Sequence, residues 1–154
     1  MDRVVLALYR VAFFFYKCKI PVVPKLICYF IRLLFGCQIG IGAKLGKNVS
    51  LGYGGLGIVI HGRTIIGENV RIGAGVTIGG RSKHFKVPII GNRCVIGTGA
   101  KILGPIIVGD EAVVGANAVV INDVHSRCVV AGIPARVIKS DIDISKYNDA
   151  IDSS

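Results

Sequence analysis

Large aliphatic residues recur at every sixth position along most of the chain, and a glycine commonly follows them. The aliphatic members of this series are Ile39, Leu45, Leu51, Ile60, Ile66, Ile72, Ile78, Ile90, Ile96, Ile102, Val108, Val114 and Val120. An α-helix does not produce a period of six with glycine in each unit. A solenoid does, because each unit forms one short face, three faces close a triangular coil, and the aliphatic side chains stack inside. The pattern therefore predicts a β-solenoid.

Two departures interrupt the repeat. The step from Leu51 to Ile60 is nine residues, so three extra residues bulge out within the glycine-rich segment 52–57. The step from Ile78 to Ile90 is twelve, and the polar segment 80–88 cannot fill an apolar interior. We expect this second segment to leave the wall of the solenoid. Irregularities in an otherwise strict repeat are where function is expected.

The chain divides into three segments by pattern: residues 1–36, 37–139 and 140–154. The first has basic residues seven apart beside apolar ones, and Pro21 and Pro24 break it into two amphipathic helices. These helices suit either an anionic membrane surface or packing on the solenoid end or the next subunit. The last segment carries four Asp and one Lys and is expected to be a loose, flexible acidic tail.

Composition narrows the class of protein. The chain has 154 residues, which favours one domain, and its net charge of +10 favours anionic partners. No aromatic stacking platform accompanies the basic residues, so we expect no nucleic acid partner. The five cysteines include no CxxC pair, which indicates buried, reduced thiols and a cytoplasmic protein. Peripheral contact with the inner face of the cell membrane is one of the two roles that the basic helices of residues 1–36 suit.

Several repeats resemble a known family. The segments 72–80 (IGAGVTIGG), 96–104 (IGTGAKILG), 114–120 (VGANAVV) and 131–139 (AGIPARVIK) are similar to the hexapeptide-repeat acyltransferases, serine acetyltransferases and short polysaccharide-modifying enzymes above all. The resemblance implies an all-β fold, a left-handed parallel β-helix preceded by a short α-helical segment. It also implies a homotrimer that binds acetyl-CoA between subunits, a histidine that activates an acceptor hydroxyl, and no required metal.

The sequence has three candidates for that histidine: His61, His84 and His125. An alcohol attacking a thioester needs a base, and imidazole titrates close to neutral pH. His61 lies just after the first irregularity and His84 lies within the second. We expect His61 to be the general base and His84 to be an orienting group or a second base. The main-chain N–H groups of Gly79 and Gly80 are the candidates for an oxyanion hole.

Other residues are candidates for binding acetyl-CoA. Arg136 and Lys139, at the end of the repeats, suit the phosphates of the cofactor. Small residues would let the pantetheine arm lie against the wall: Gly99, Ala100, Gly115 and Ala116.

The acceptor is the open question. The Asp-His pair of true serine acetyltransferases is replaced by Gly52-Tyr53, so we expect a sugar hydroxyl in polysaccharide biosynthesis, free or lipid-linked. Serine O-acetylation in cysteine biosynthesis is the alternative. A zinc carbonic anhydrase on the same fold would need three histidine ligands, two of them close in sequence, and the histidine spacing here differs. A non-enzymatic scaffold would have an unbroken repeat.

Overall fold

The computed structural model describes residues 1–147. Two helices open the chain, α1 (Asp2–Lys17) and α2 (Val22–Phe35). Pro24 lies in the first turn of α2, where its missing N–H costs no helical hydrogen bond. Gly36 ends α2 in the left-handed conformation at φ 60°, the usual glycine stop. Within the described residues, neither helix has the length and apolarity to cross a bilayer.

The rest of the described chain consists of short strands and two 3-10 turns, Gly52–Gly55 and Ile144–Tyr147. The strands are β1 (Gln38–Ile39), β2 (Lys44–Leu45), β3 (Ser50–Leu51), β4 (Val59–Ile60), β5 (Ile65–Ile66), β6 (Arg71–Ile72), β7 (Thr77–Gly79), β8 (Ile89–Ile90), β9 (Val95–Ile96), β10 (Lys101–Leu103), β11 (Ile107–Val108), β12 (Val113–Val114), β13 (Val119–Val120), β14 (Val129–Gly132) and β15 (Ala135–Lys139).

These strands form three sheets, the faces of a triangular prism. Sheet A has the order β1-β4-β7-β10-β13, sheet B the order β11-β8-β5-β2, and sheet C the order β15-β14-β12-β9-β6-β3. Neighbours are parallel and in register one coil apart, as in Ile60 with Ile78, and only β15 returns antiparallel against β14. The result is a left-handed parallel β-helix of about four turns, which confirms the predicted fold.

The interior is the aliphatic column that the repeat predicts. Ile60, Ile72, Ile78 and Ile102 are each at most 1% exposed, and each lies over its equivalent in the next coil. Burying such a side chain contributes about 1.5–3 kcal/mol relative to leaving it exposed. One short face cannot bury an apolar side chain alone, so stability comes from stacking the coils.

Glycine follows the aliphatic residue because two of the three corners are tightly stacked. A Cβ on Gly97, at the corner between sheets C and A, would lie 2.6 Å from the main-chain nitrogen of Ala116. A Cβ on Gly109, between sheets B and C, would lie 2.6 Å from the nitrogen of Ser126. No side chain fits in that space, so the next coil requires glycine at both corners.

Helix α1 packs over the first coil and covers its open end. Val5 and Ala12 are fully buried there, and the Tyr9 hydroxyl donates to the carbonyl of Ala43 at 2.8 Å, with the Gly40 carbonyl 3.1 Å away. Burial raises the pKa of Tyr9. Of the two roles expected for residues 1–36, the structure shows packing on the solenoid end. Such a cap protects the unpaired edge of the first coil.

The C-terminal segment begins as a packed structure. Ile142 and Ile144 are 8% and 7% exposed and contact the outer face of sheet C at Val113 and Val129. The prediction of a loose acidic tail from residue 140 therefore does not describe residues 140–147, since it weighed the aspartates and overlooked these two isoleucines. The remainder of that tail, 148–154, lies outside the described residues.

The cysteines follow the burial prediction in part. Cys37, Cys94 and Cys128 are buried, Cys28 is half-buried and Cys18 is exposed at the end of α1. All five are free thiols. Burial raises the pKa of both Cys37 and Cys94 to about 11, so these thiols stay protonated at neutral pH and behave as small apolar side chains.

Candidate active site

The corner between sheets A and B carries the predicted catalytic histidines. His61 directly follows β4, and the exposed loop containing His84 directly follows β7. Because β4 and β7 are neighbours in sheet A, both histidines lie at the same corner on successive coils. The loop, residues 80–88, leaves the wall and returns through the buried Val87 and Pro88, as the twelve-residue step predicts.

At this corner the residue after the aliphatic position is not always glycine. The residues that follow the aliphatic position here are, coil by coil, Gly40, His61, Gly79, Leu103 and Ile121. Only Gly40 lies too close to the next coil to accept a side chain, since a Cβ there would clash with the backbone of Gly62. His61 lies below the loop 80–88, which leaves the wall in the next coil. Leu103 also carries a side chain at this corner with no long loop above it, so the corner accepts side chains in more than one coil.

The imidazole of His61 is fixed by its own turn. The main-chain N–H of Arg63 donates to Nδ1 of His61 at 3.1 Å, and the main-chain N–H of Thr64 donates to the His61 carbonyl at 2.9 Å. Asn69 and Asn117 lie, like Arg63, three residues after an aliphatic residue of the repeat, and their φ angles are 56° and 55°. The φ angle of Arg63 is not positive, so its turn differs from theirs. With Nδ1 accepting a hydrogen bond, a neutral ring carries its proton on Nε2.

Arg63 joins this turn to the loop above. Its Nη2 donates to the Phe85 carbonyl at 2.6 Å, and its guanidinium carbon lies 4.0 Å from the centre of the Phe85 ring. The loop adds a turn of its own, in which the His84 N–H donates to the Arg81 carbonyl at 3.0 Å. Arg63 and Phe85 are candidate site residues that the sequence analysis missed. The available signal was a charged residue at a corner directly below the polar loop.

Gly79 and Gly80 differ from the corner glycines. A Cβ on Gly79 would meet nothing closer than Leu103 Cδ2 at 3.8 Å, and one on Gly80 would meet only Val87 Cγ1 at 3.6 Å. Neither has positive φ. The fold of a single chain therefore does not require glycine at these two positions. Gly79 lies next to His61 at this corner, one coil on, and Gly80 is the following residue. A glycine that the fold does not require is typical of a position where a ligand approaches the backbone closely.

The predicted cofactor wall lies at a different corner, between sheets C and A. Ala116 is exposed there, and Gly115 is half-buried. Gly99 has φ 74°, and a Cβ there would clash only with the end of the Asn117 side chain. Asn117 has φ 55° at the same position of the repeat, so the turn favours glycine here but does not require it. Ala100 is fully buried in the core. The assignment of Ala100 to the cofactor wall is therefore wrong for its side chain, which occupies the small interior position of the repeat.

The two basic residues predicted to bind phosphate lie on β15. Arg136 and Lys139 are both exposed at the end of sheet C, next to the exposed Val137 and Ile138. They therefore lie apart from the histidine corner within one chain. His125 is an exposed residue near the last coil and joins neither group.

The catalytic candidates thus lie along one edge of sheet A, and the small residues of the predicted cofactor wall lie along the opposite edge. The glycine-rich turn at 52–55 lies on the cofactor edge, in contact with α1, and the loop 80–88 lies on the histidine edge. One chain does not bring the two groups together, and a site made of both requires neighbouring subunits. Residues 1–147 contain no cluster of three His, Cys, Asp or Glu side chains able to hold a metal, which leaves the prediction that no metal is required untested.

Comparison with known proteins identifies the repeats. Residues 88–122 match the family described as bacterial transferase hexapeptide (six repeats), and residues 63–80 match the hexapeptide repeat of succinyl-transferase. A serine acetyltransferase of Synechococcus elongatus is 42% identical over 135 residues, covering 86% of this chain and 55% of that protein. A serine acetyltransferase of Staphylococcus xylosus is 39% identical over 128 residues, covering 82% of this chain and 59% of that protein.

Solved structures agree with the sequence relatives. A serine acetyltransferase in complex with cysteine superposes with a TM-score of 0.86 at 32% identity, covering 97% of this chain and 58% of that one. The enzyme of Brucella abortus in complex with coenzyme A gives a TM-score of 0.82 at 33% identity, covering 88% and 54% of the two chains. The chain therefore spans a little more than half the length of the relatives that it matches.

These relatives contradict the sugar acceptor and the role in polysaccharide biosynthesis that the sequence analysis preferred. That preference gave local departures such as Gly52-Tyr53 more weight than the similarity along the whole β-helix, and the relatives are named serine acetyltransferases. The chain belongs to the hexapeptide-repeat transferase family, and its β-helix is serine acetyltransferase-like.

Proposed function

We propose that this protein is an acetyl-CoA-dependent serine O-acetyltransferase with His61 as its general base. The observation that carries the proposal is the placement of His61 and the loop 80–88 at one corner of a serine acetyltransferase-like β-helix. We take L-serine as the acceptor because the sequence relatives and the structural relatives are named serine acetyltransferases. Acetyl-CoA is the donor, which fits the relative that binds coenzyme A.

The reaction is a single acyl transfer. His61 takes the proton of the serine hydroxyl as its oxygen attacks the thioester carbonyl, and collapse of the tetrahedral intermediate breaks the carbon–sulfur bond. The imidazolium then returns its proton to the departing thiolate. A lone pair on the imidazole is needed for the first step. Nδ1 accepts the Arg63 N–H and Nε2 carries the proton, so the neutral ring has no free lone pair in this arrangement. Either the ring turns and frees Nδ1, or the proton moves from Nε2 to Nδ1 and the hydrogen bond to Arg63 breaks.

The oxyanion of the intermediate needs donors at fixed positions. We assign this role to the Gly79 and Gly80 main-chain groups, supported by the open space where their side chains would be. Gly99, Gly115 and Ala116 contribute a low wall for the pantetheine arm, and Arg136 and Lys139 pair with the phosphates. Guanidinium and ammonium groups suit those anions. His84 orients the acceptor or acts as a second base.

A homotrimer joins the two edges of sheet A in this proposal. The outer face of sheet B supports it, since Ile65, Ile89 and Ile107 stack in register and are 40%, 42% and 53% exposed. A continuous apolar ladder of this kind favours a subunit contact. Light scattering of wild type and Ile89→Lys tests it, with a trimer expected for the first and dissociation for the second.

Peripheral membrane contact of residues 1–36 is a separate proposal. Phe14, Tyr29 and Leu33 are 63%, 67% and 70% exposed on the two helices, and the arginines and lysines of these helices are exposed as well. Sedimentation with anionic and with neutral vesicles tests it, with binding only to the anionic vesicles expected.

The acceptor is tested by incubating the protein with acetyl-CoA and one hydroxyl amino acid at a time, with product detection by mass spectrometry. L-serine, D-serine, L-threonine and L-homoserine form the panel. O-acetyl-L-serine should accumulate, with the other acceptors at least tenfold slower, since a pocket built for a polar substrate rejects wrong shapes strongly. Coenzyme A release with no acetylated amino acid would contradict the proposal.

A further inference from the structure

The loop 80–88 carries several positive charges and no acidic residue that could pair with them. Arg81, Lys83 and Lys86 give it three positive charges and no acid, and residues 81–86 are all exposed. Like charges on an extended loop repel each other and favour an open conformation. A contact with the coil below would oppose this repulsion.

Arg63 supplies that contact, although it is itself a cation. It bonds the loop through the two groups of Phe85 that attract positive charge, the main-chain carbonyl at 2.6 Å and the face of the ring at 4.0 Å. A planar guanidinium can stack and donate together, which an ammonium group does less well. Phe85 is 78% exposed, so the fold does not otherwise hold its ring.

The same residue also fixes His61, but by its main chain. The Arg63 N–H donates to Nδ1 of His61 at 3.1 Å. One residue therefore connects the predicted base to the loop that carries His84, residue by residue: His61 to Arg63, and Arg63 to Phe85, the neighbour of His84. The side chain and the main chain of Arg63 have separable roles, because a substitution removes the first and leaves the second.

We propose that Arg63 is a positioning residue that holds the loop 80–88 against the His61 corner through Phe85 and so shapes the acceptor pocket. The contact itself stands on the geometry above. Its effect on the acceptor rests on the proposed function.

Four variants isolate the contact. Arg63→Ala removes both interactions, Arg63→Lys keeps only a cation, Phe85→Leu removes the ring and keeps the carbonyl, and Phe85→Tyr keeps the ring. Arg71→Ala is the matched control, because Arg71 is an exposed arginine on sheet C, away from the loop.

The first readout needs no activity. Amide hydrogen exchange of the ligand-free protein should be about tenfold faster at His84 and its neighbours in Arg63→Ala than in wild type, with the aliphatic core unchanged, since the contact is the loop's attachment to the coil below. Phe85→Tyr and Arg71→Ala should exchange like wild type, and Arg63→Lys should be intermediate. Wild-type exchange in Arg63→Ala would overturn the proposal.

The second readout is kinetic. Arg63→Ala should raise KM for L-serine about tenfold with kcat changed less than threefold, because a loosened pocket loses binding before chemistry. The pH profile should not move, because the Arg63 N–H remains. A fall in kcat with a moved profile would instead show damage to the base and would overturn the positioning role. If wild type acetylates no amino acid, the proposed function fails, and the exchange measurement alone decides whether the contact holds the loop.

Discussion

The Nδ1 atom of His61 accepts a hydrogen bond from the main-chain N–H of Arg63, 3.1 Å away and two residues along the chain. This local contact orients the imidazole and selects the tautomer with its proton on Nε2. A carboxylate at Nδ1 would have the opposite effect, because it would accept the Nδ1 proton and leave the Nε2 lone pair free. The orienting donor here comes from the turn itself.

A first prediction concerns that tautomer. Long-range proton–nitrogen NMR spectra of the free protein at pH 8 should show His61 protonated on Nε2, since Nδ1 is held as an acceptor. His125, which is exposed, serves as the control and should show a mixture of the two neutral tautomers. A His61 ring protonated on Nδ1 would mean that the Arg63 contact is absent in solution.

A second prediction separates structural from functional glycines. Gly97→Ala should destabilise the fold by about 2 kcal/mol or more, because its Cβ would overlap the next coil, a clash of the kind that overpacking produces. Gly80→Ala should change the free energy of unfolding by less than about 0.5 kcal/mol, as usual for an unhindered surface site. Urea denaturation measures both effects.

The activity of Gly80→Ala completes the comparison. Gly80→Ala keeps the main-chain N–H but adds a Cβ where a substrate would lie. It should lower kcat about tenfold or more if this backbone faces the oxyanion, since a small displacement of the reacting groups commonly costs that much. Full activity in a stable Gly80→Ala protein would remove Gly80 from the site.

A third prediction tests the helical cap. Tyr9→Phe removes the donor to the buried Ala43 carbonyl and should cost about 1–3 kcal/mol, the range for leaving a buried polar group unpaired. Tyr29→Phe is the matched control, because Tyr29 is 67% exposed, and it should be neutral. Equal unfolding midpoints for the two variants would show that α1 does not depend on this bond.

A fourth prediction follows from the buried thiols. The pKa of Cys94 is raised to about 11 by burial, so the folded state holds this proton more tightly than the unfolded chain. Its contribution to stability is present below pH 9 and is lost as the pH rises from about 9 to 11, a loss of roughly 2 kcal/mol for one thiol. The urea midpoint should therefore fall between pH 8 and pH 10.5.

Cys94→Ala provides the comparison for this effect. Alanine is common at the small interior position that Cys94 occupies, as at Ala112 and Ala118, so the variant suits the repeat. Its urea midpoint should fall less than that of wild type over the same range. The same fall in both proteins would show that other groups cause the alkaline loss.

The β-helix was predictable because its core depends on a short local period. Ile60 and Ile78 point inward for the same reason, and the extra residues before Ile90 show where a loop must leave the wall. Ala100 was misassigned although its place in the period already put it inside. Period and phase therefore determine which residues are buried, but they do not say which corners meet in an assembly.

Contacts between distant segments were beyond the sequence pattern. Arg63 meets Phe85 because the loop folds back over one coil, and Tyr9 reaches Ala43 because α1 lies across the first coil. Neither path leaves a periodic signal. The acceptor was misjudged for a related reason, since a few missing residues in one chain say less about specificity than similarity along the whole β-helix.

The most direct test of the account is the rate of acetyl transfer to L-serine by His61→Ala and by His125→Ala, with folding of both confirmed by circular dichroism. The account predicts that His61→Ala lowers kcat/KM about 10²–10⁴-fold, the usual contribution of a general base, and that His125→Ala is unchanged. Full activity in His61→Ala would contradict the assignment of the base at the corner between sheets A and B.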